Sequence, residues 1–184
     1  MTTIPALHIR PVAEAELNAF FDYLNDHLAD NGVDGTALFM PLARGESRLP
    51  FEREKDFRNG LLIACGERGW RRAFIAVADD GRIAGHIDLR ARPERACAHR
   101  SLLGMGVHRH YRRQGLGERL IAYALGWAQM QTQLAWVDLE VLSVNEAARR
   151  LYARCAFEQI GNIADMFRLD GEQLAYTLMT RRIR

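Results

Sequence analysis

The sequence predicts an α/β (α+β) fold in one domain over residues 1–184, and three observations carry it. A length of 184 residues suits about one domain with a sizeable core. Period-two apolar patterns alternate along the chain with 3.6-residue ones. A strand, a turn and a helix follow one another from Leu102 through Gly117, and the chain closes on a hairpin turn at Asp170-Gly171.

In order, Leu7–Arg10 reads as a short strand, and beyond Pro11 the residues Val12, Leu17, Phe20, Phe21 and Leu24 recur at near-helical spacing. Asn31–Pro50 mixes Gly, Pro and Arg with Leu38, Phe39 and Met40, which suggests a partly ordered lid. Phe51–Cys65 reads as a helix closed by Gly66. Phe74–Ala78 and Ile83–Arg90 flank Asp79-Asp80-Gly81 as a β-hairpin, with Ile83, Ile87 and Leu89 expected on one face and Ala84, His86 and Asp88 on the other.

Ser101–Val107 is a further strand in which Gly104 and Gly106 bracket Met105, a sign of a bulge or of close approach by a ligand. Gly117 to about Gln131 carries Leu120, Ile121, Ala124, Leu125 and Ala128 on one helical stripe. Trp136–Val141 alternates as a half-buried strand. A helix with Ala148, Leu151, Tyr152 and Cys155 follows, capped by Ser143 with Glu146 or by Asn145. Phe157–Leu169 and Leu174–Thr180 form the closing antiparallel hairpin.

Composition narrows the function. The 48% hydrophobic and 26% charged residues exclude disordered and fibrous chains. Apolar runs such as Leu61–Cys65 are far shorter than the roughly 20 residues that cross a bilayer. Met1–Pro11 shows no secretory pattern, and Cys65, Cys97 and Cys155 suit free thiols, so a cytoplasmic protein without a membrane partner is expected. With a net charge of +2, no global field demands a nucleic-acid partner. Arginine is nonetheless concentrated locally, at Arg109, Arg112, Arg113 and Arg119 beside His108 and His110. Guanidinium groups next to glycines at a helix start suit a small phosphorylated ligand.

No GxxxxGK[ST] or GxGxxG pattern is present, and His108 and His110 have no third ligand at metal spacing, so no metal site is expected. The turn alone is equally compatible with a solvated basic loop ahead of a Gly-capped helix.

From about Phe74 to Arg182 the chain resembles the GNAT superfamily of acyl-CoA-dependent N-acetyltransferases. The likeness rests on Leu103-Gly104-Met105-Gly106-Val107, on Arg112-x-x-Gly115-x-Gly117, and on Asn145-x-x-Ala148-x-x-Leu151-Tyr152 before Phe157. It implies a mixed twisted sheet flanked by helices and splayed between its two central strands, with acetyl-CoA as cosubstrate in the split. It further implies pantetheine contacts from Met105, Val107 and Asn145, and pyrophosphate contacts from Arg112, Arg113, Gln114, Gly115 and Gly117. The sequence departs from the family pattern at Arg109, where proline is common, and at Arg113 and Ala156, where glycine is common.

Amine attack on a thioester requires oriented substrates, a proton acceptor and a proton donor to the thiolate. Tyr152, a phenol with an ordinary pKa of about 10, is the implied acid, although its place in an apolar stripe also suits core packing. The base implied by resemblance to one subgroup is His99, six residues before Met105, with His86, Asp88 and Glu140 as rivals. The implied partner is a small-molecule or peptide amine, and a homodimer is compatible with the pattern. A CoA-binding sensor without activity and a basic-patch nucleic-acid binder are the alternatives.

Overall fold

The computed structural model describes residues 7–184. A seven-stranded sheet is built from β1 (Leu7–Pro11), β2 (Arg71–Ala78), β3 (Ile83–Ala91), β4 (Arg100–Val107), β5 (Trp136–Leu142), β6 (Glu158–Leu169) and β7 (Glu172–Arg182), in the order β1-β2-β3-β4-β5-β7-β6. All neighbours are antiparallel except β4 and β5. That parallel pair has three rungs, Arg100↔Trp136, Ser101↔Val137 and Leu102↔Asp138, and no pairing beyond them. The centre of the sheet is therefore splayed.

Helices cover both faces: α1 (Leu17–Leu28) and α2 (Phe51–Leu62) on one, α3 (Leu116–Met130) and α4 (Glu146–Arg154) on the other. The apolar stripe of α3 packs on Ile87, Leu89, Leu103, Val137 and Leu139. Phe20, Phe21 and Phe57 pack on Ala73 and Ile75 of the opposite face. Full burial of side chains such as Phe20, Ile87 and Leu120 contributes roughly 1.5–3 kcal/mol each. Among the described residues no helix is long and apolar enough to cross a membrane.

Three expectations need correction. The hairpin contains a bulge: Ala76 pairs with Gly85 and Val77 with Ile83, so Ala84 is an extra residue. It swaps the facing of its neighbours, sending Ala84 into the α3 core and Ile83 toward α1. Helix α2 stops at Leu62, three residues short of Cys65, because Ile63 turns extended and Arg72 donates to the carbonyls of Leu61 and Ile63. Asn31–Pro50 is a strap rather than a partly ordered lid. Buried Asn31 accepts from the amides of Phe39 and Met40 and donates to the carbonyls of Met40 and Leu42. Leu38 packs with Leu142 and Leu174, and Arg44 pairs with Asp170 and Glu172 at the β6–β7 turn. The strap thus crosses the α1/α2 face from one half of the splayed sheet to the other.

Candidate active site

The gap between β4 and β5 is the centre of the site. His108 N donates to Ala84 O on β3, and successive amides of an extended strand point to opposite edges. The amides of Gly106 and Gly104 therefore face β3, and those of Met105 and Val107 face the gap, where β5 has already diverged. These donors can pair with an extended polar chain laid along β4, much as an added strand would.

The two strand glycines admit side chains, with no bulge in β4. A Cβ on Gly106 would collide with His27 and His86, and one on Gly104 would meet Asp88 Oδ1 at 2.8 Å and Arg90 Nη1 at 3.0 Å.

β4 leads through a short helical turn at Arg109–Tyr111 into Gly115, which has φ +78° and caps α3. The amides at the start of this 15-residue helix have no intrahelical partner and follow directly on the turn from β4, an arrangement that can cradle an anion. A Cβ on Gly117 would meet Leu151 Cδ2 at 2.8 Å, so the missing side chain also lets α3 pack against α4. Gln114 spends its side-chain amide on His110 O.

Most of the Arg cluster is already engaged. Arg112 donates to Asp30 at 2.7 Å, Arg109 to Asp30 and Asp26, and Arg119 to the carbonyl of Leu7. Exposed Arg113 has no carboxylate partner among the described residues and stands at φ +60°, the left-handed conformation that glycine commonly supplies at this position. Ala156 likewise holds φ +58° before Phe157. The loop geometry of the motif is thus kept in spite of both departures.

On the α3/α4 face, Tyr152 is buried against Phe157, with ring centroids 6.0 Å apart. Its hydroxyl makes no hydrogen bond to protein among the described residues. Burial drives its pKa upward, and nearby Tyr176 and Cys155 push it further, so the phenol stays protonated at neutral pH. Tyr176 stands on β7 opposite Leu142, on the far side of the gap. Its own pKa is raised by burial and by Glu140, with Arg90 opposing. Tyr176 is thus electrostatically coupled to Tyr152 on one side and to Glu140 and Arg90 on the other. Asn145 caps α4 by accepting from Ala148 N at 3.2 Å, which resolves the choice against a Ser143 cap; Ser143 instead bonds Thr177.

His99 is not brought to this place. It is exposed ahead of β4, at the end where β4 and β5 are still paired, and six extended residues, about 20 Å, separate it from Met105. Of its rivals, His86 accepts or donates to Tyr23 Oη at 3.1 Å and is held down to about 4 by burial. Asp88 lies between Arg71 and Arg90 at 3.4 and 3.3 Å. Glu140 is exposed on the α1/α2 face of β5 and has no ion-pair partner among the described residues.

Arg90 beside Gly104, His27 beside Gly106 and Tyr176 opposite Leu142 are neighbours of this place that the sequence did not single out. Arg90 shares the two-residue period of His86 and Asp88, a signal that was present. Nothing local marks Tyr176 or His27.

A family model described as "Acetyltransferase (GNAT) family" matches residues 38–157. No curated protein matches the chain in sequence. Solved structures share its fold. The acetyltransferase of GNAT family from Streptococcus pneumoniae superposes with a TM-score of 0.80 at 23% identity, over 97% of this chain and 100% of that one. YncA from Salmonella typhimurium, solved with acetyl-CoA, gives 0.76 at 17% identity over 97% and 95%. Spermidine N-acetyltransferase from Vibrio cholerae, in complex with CoA and spermine, gives 0.71 at 17% identity over 96% and 95%.

Proposed function

The chain belongs to the GNAT acetyltransferase family, and from that premise we propose that it is a single cytoplasmic domain that transfers the acetyl group of acetyl-CoA to a primary amine by direct attack. The observation that carries this reading is the end of β4–β5 pairing at Leu102, which leaves the Met105 and Val107 amides facing a gap that ends at the α3 anion cradle. Structural neighbours bound to acetyl-CoA or CoA support the choice of cosubstrate.

Acetyl-CoA supplies an activated thioester, and the rest of the work falls to side chains and amides of this chain. Met105 and Val107 orient the pantetheine arm, with the Met105 amide placed to polarise the thioester carbonyl. Gly115, the first amides of α3 and the Arg113 guanidinium hold the pyrophosphate. Glu140 accepts the proton of the amine, directly or through water, in place of the more distant His99. Tyr152 gives its proton to the departing thiolate. Cys155 takes no part, since burial raises its thiol pKa and it packs beneath α4.

The test is thiol release from acetyl-CoA across a panel of amines, with thermal melts in parallel. Amine-dependent release together with stabilisation by acetyl-CoA supports transfer. Stabilisation without release under any amine favours a sensor, and stabilisation by duplex DNA alone favours a nucleic-acid binder.

A further inference from the structure

We propose that the acceptor is a small zwitterion of the α-amino-acid type, its carboxylate held by Arg90 and its ammonium group facing Glu140. This deepens the acetyl-transfer reading and rests on it.

Arg90 comes from β3 and lies across the backbone of β4 at Gly104, where a Cβ would come within 3.0 Å of Nη1. That position is one residue from Met105, whose amide faces the gap. The guanidinium makes a single protein hydrogen bond among the described residues, a long one of 3.3 Å to Asp88 Oδ2. Asp88 is itself shared with Arg71. Four of the five N–H donors of Arg90 are therefore free, on a side chain 36% exposed. A fork of donors so placed suits a carboxylate.

Glu140 supplies the opposite charge from the other side of the gap. Arg90, Leu102 and Asp138 share one row of the sheet, and Glu140 lies two residues along β5 from Asp138. Tyr176 lies within electrostatic reach of both Arg90 and Glu140. A cationic and an anionic side chain on one face of the sheet, on either side of the gap, fit an amine and an acid carried on one small skeleton.

Size points the same way. The strap from Asn31 to Pro50 covers this face, with Phe39 stacked on His27 at 4.7 Å and Arg44 fastened to the β6–β7 turn. A folded protein cannot enter beneath it. Arg90 shares Asp88 with Arg71, so one carboxylate stands between two guanidiniums on this face. An under-neutralised guanidinium of this kind suits a molecule that brings its own carboxylate.

The experiment compares acetyl-CoA thiol release with the twenty free L-amino acids, their methyl esters and spermidine, for the wild type, Arg90→Gln and Arg90→Lys. The expected result is faster acetylation of at least one free amino acid than of its ester or of spermidine. Arg90→Gln then lowers the acid-to-ester ratio of kcat/KM by about 10- to 100-fold, chiefly through KM, as loss of a charged hydrogen-bond partner requires, and Arg90→Lys restores part of it. Melting temperature and acetyl-CoA binding, measured on each variant, serve as folding controls. If Arg90→Gln does not fold, the wild-type preference decides alone. Faster acetylation of esters or spermidine by the wild type, or an acid-to-ester ratio unmoved by a folded Arg90→Gln, overturns the zwitterion proposal and leaves acetyl transfer standing. Failure of every amine to drive thiol release overturns acetyl transfer itself, and the proposal with it.

Discussion

Arg112 donates through Nη2 to Asp30 Oδ2 at 2.7 Å and through Nε to Val107 O at 3.0 Å, tying the end of α1 to the strand-to-helix turn. The guanidinium is spent inside the protein, so the cation left for a pyrophosphate is its neighbour Arg113. The two arginines should therefore behave differently. Arg112→Gln should destabilise the fold by roughly 1–3 kcal/mol, because Asp30 loses a partner. Arg113→Gly should instead leave the fold at least as stable and weaken acetyl-CoA binding by about 5- to 10-fold, more at low salt than at high. Calorimetric titration alongside thermal melts distinguishes them, and equal loss of binding with no loss of stability in Arg112→Gln contradicts the assignment.

Ala156 at φ +58° provides a test of backbone strain alone. A non-glycine residue in the left-handed region costs roughly 1–2 kcal/mol. Ala156→Gly should stabilise the protein by about 1 kcal/mol, a rise in Tm of about 2–4 °C for a chain of this size. An unchanged or lowered Tm shows that the Cβ packing is worth more than the strain.

His27 and His86 set an acid limit on stability. Burial holds His27 down to about 2, with further help from His86 and Arg112, and it holds His86 down to about 4. His27 Nδ1 is buried without a partner among the described residues. An unfolded histidine titrates near 6.5, so below that pH the unfolded chain binds protons that the folded chain refuses. The stability from both groups is fully present above about pH 6.5 and is lost as pH falls toward 4, at up to about 1.4 kcal/mol per pH unit per histidine. His27→Leu should roughly halve that slope. Melts from pH 7 to 4 on both proteins check it, and an identical slope removes His27 from the explanation.

Tyr152→Phe keeps the ring against Phe157 and removes the hydroxyl. Acetyl-CoA affinity should survive while kcat falls by about 10²- to 10⁴-fold, the scale of one acid-base contribution. An undiminished kcat with any accepted amine reduces Tyr152 to a packing residue.

What the sequence disclosed follows from how local each cause is. The stripe of α3, the alternation of β5 and the Asp170-Gly171 turn are short-range patterns, and all stand where periodicity puts them. The bulge at Ala84 and the early end of α2 arise from tertiary partners, the β2 register and Arg72, that no window of residues contains. The site divides the same way. The Arg112–Gly117 turn was legible as an anion cradle, but its nearest countercharge, Asp30, lies 82 residues from Arg112. Insertion of β7 beside β5 is what brings Tyr176 to the gap, and neither strand announces that order. His99 drew notice through its spacing from Met105, and the extended strand between them is what carries it away from the gap.

Amide hydrogen exchange with and without acetyl-CoA tests the central claim most directly, that the cosubstrate lies in the gap between β4 and β5. Placement there predicts slowed exchange in peptides containing Met105 to Val107 and Gly115 to Gly117, whose amides have no strand or helix partner on that side. The rival location is the roughly 580 Å³ cavity at the paired end of these strands, between Trp70, Arg92 and Arg95. Protection confined to peptides around Arg68 and Arg95, with Met105 to Val107 exchanging as in the free protein, would contradict it.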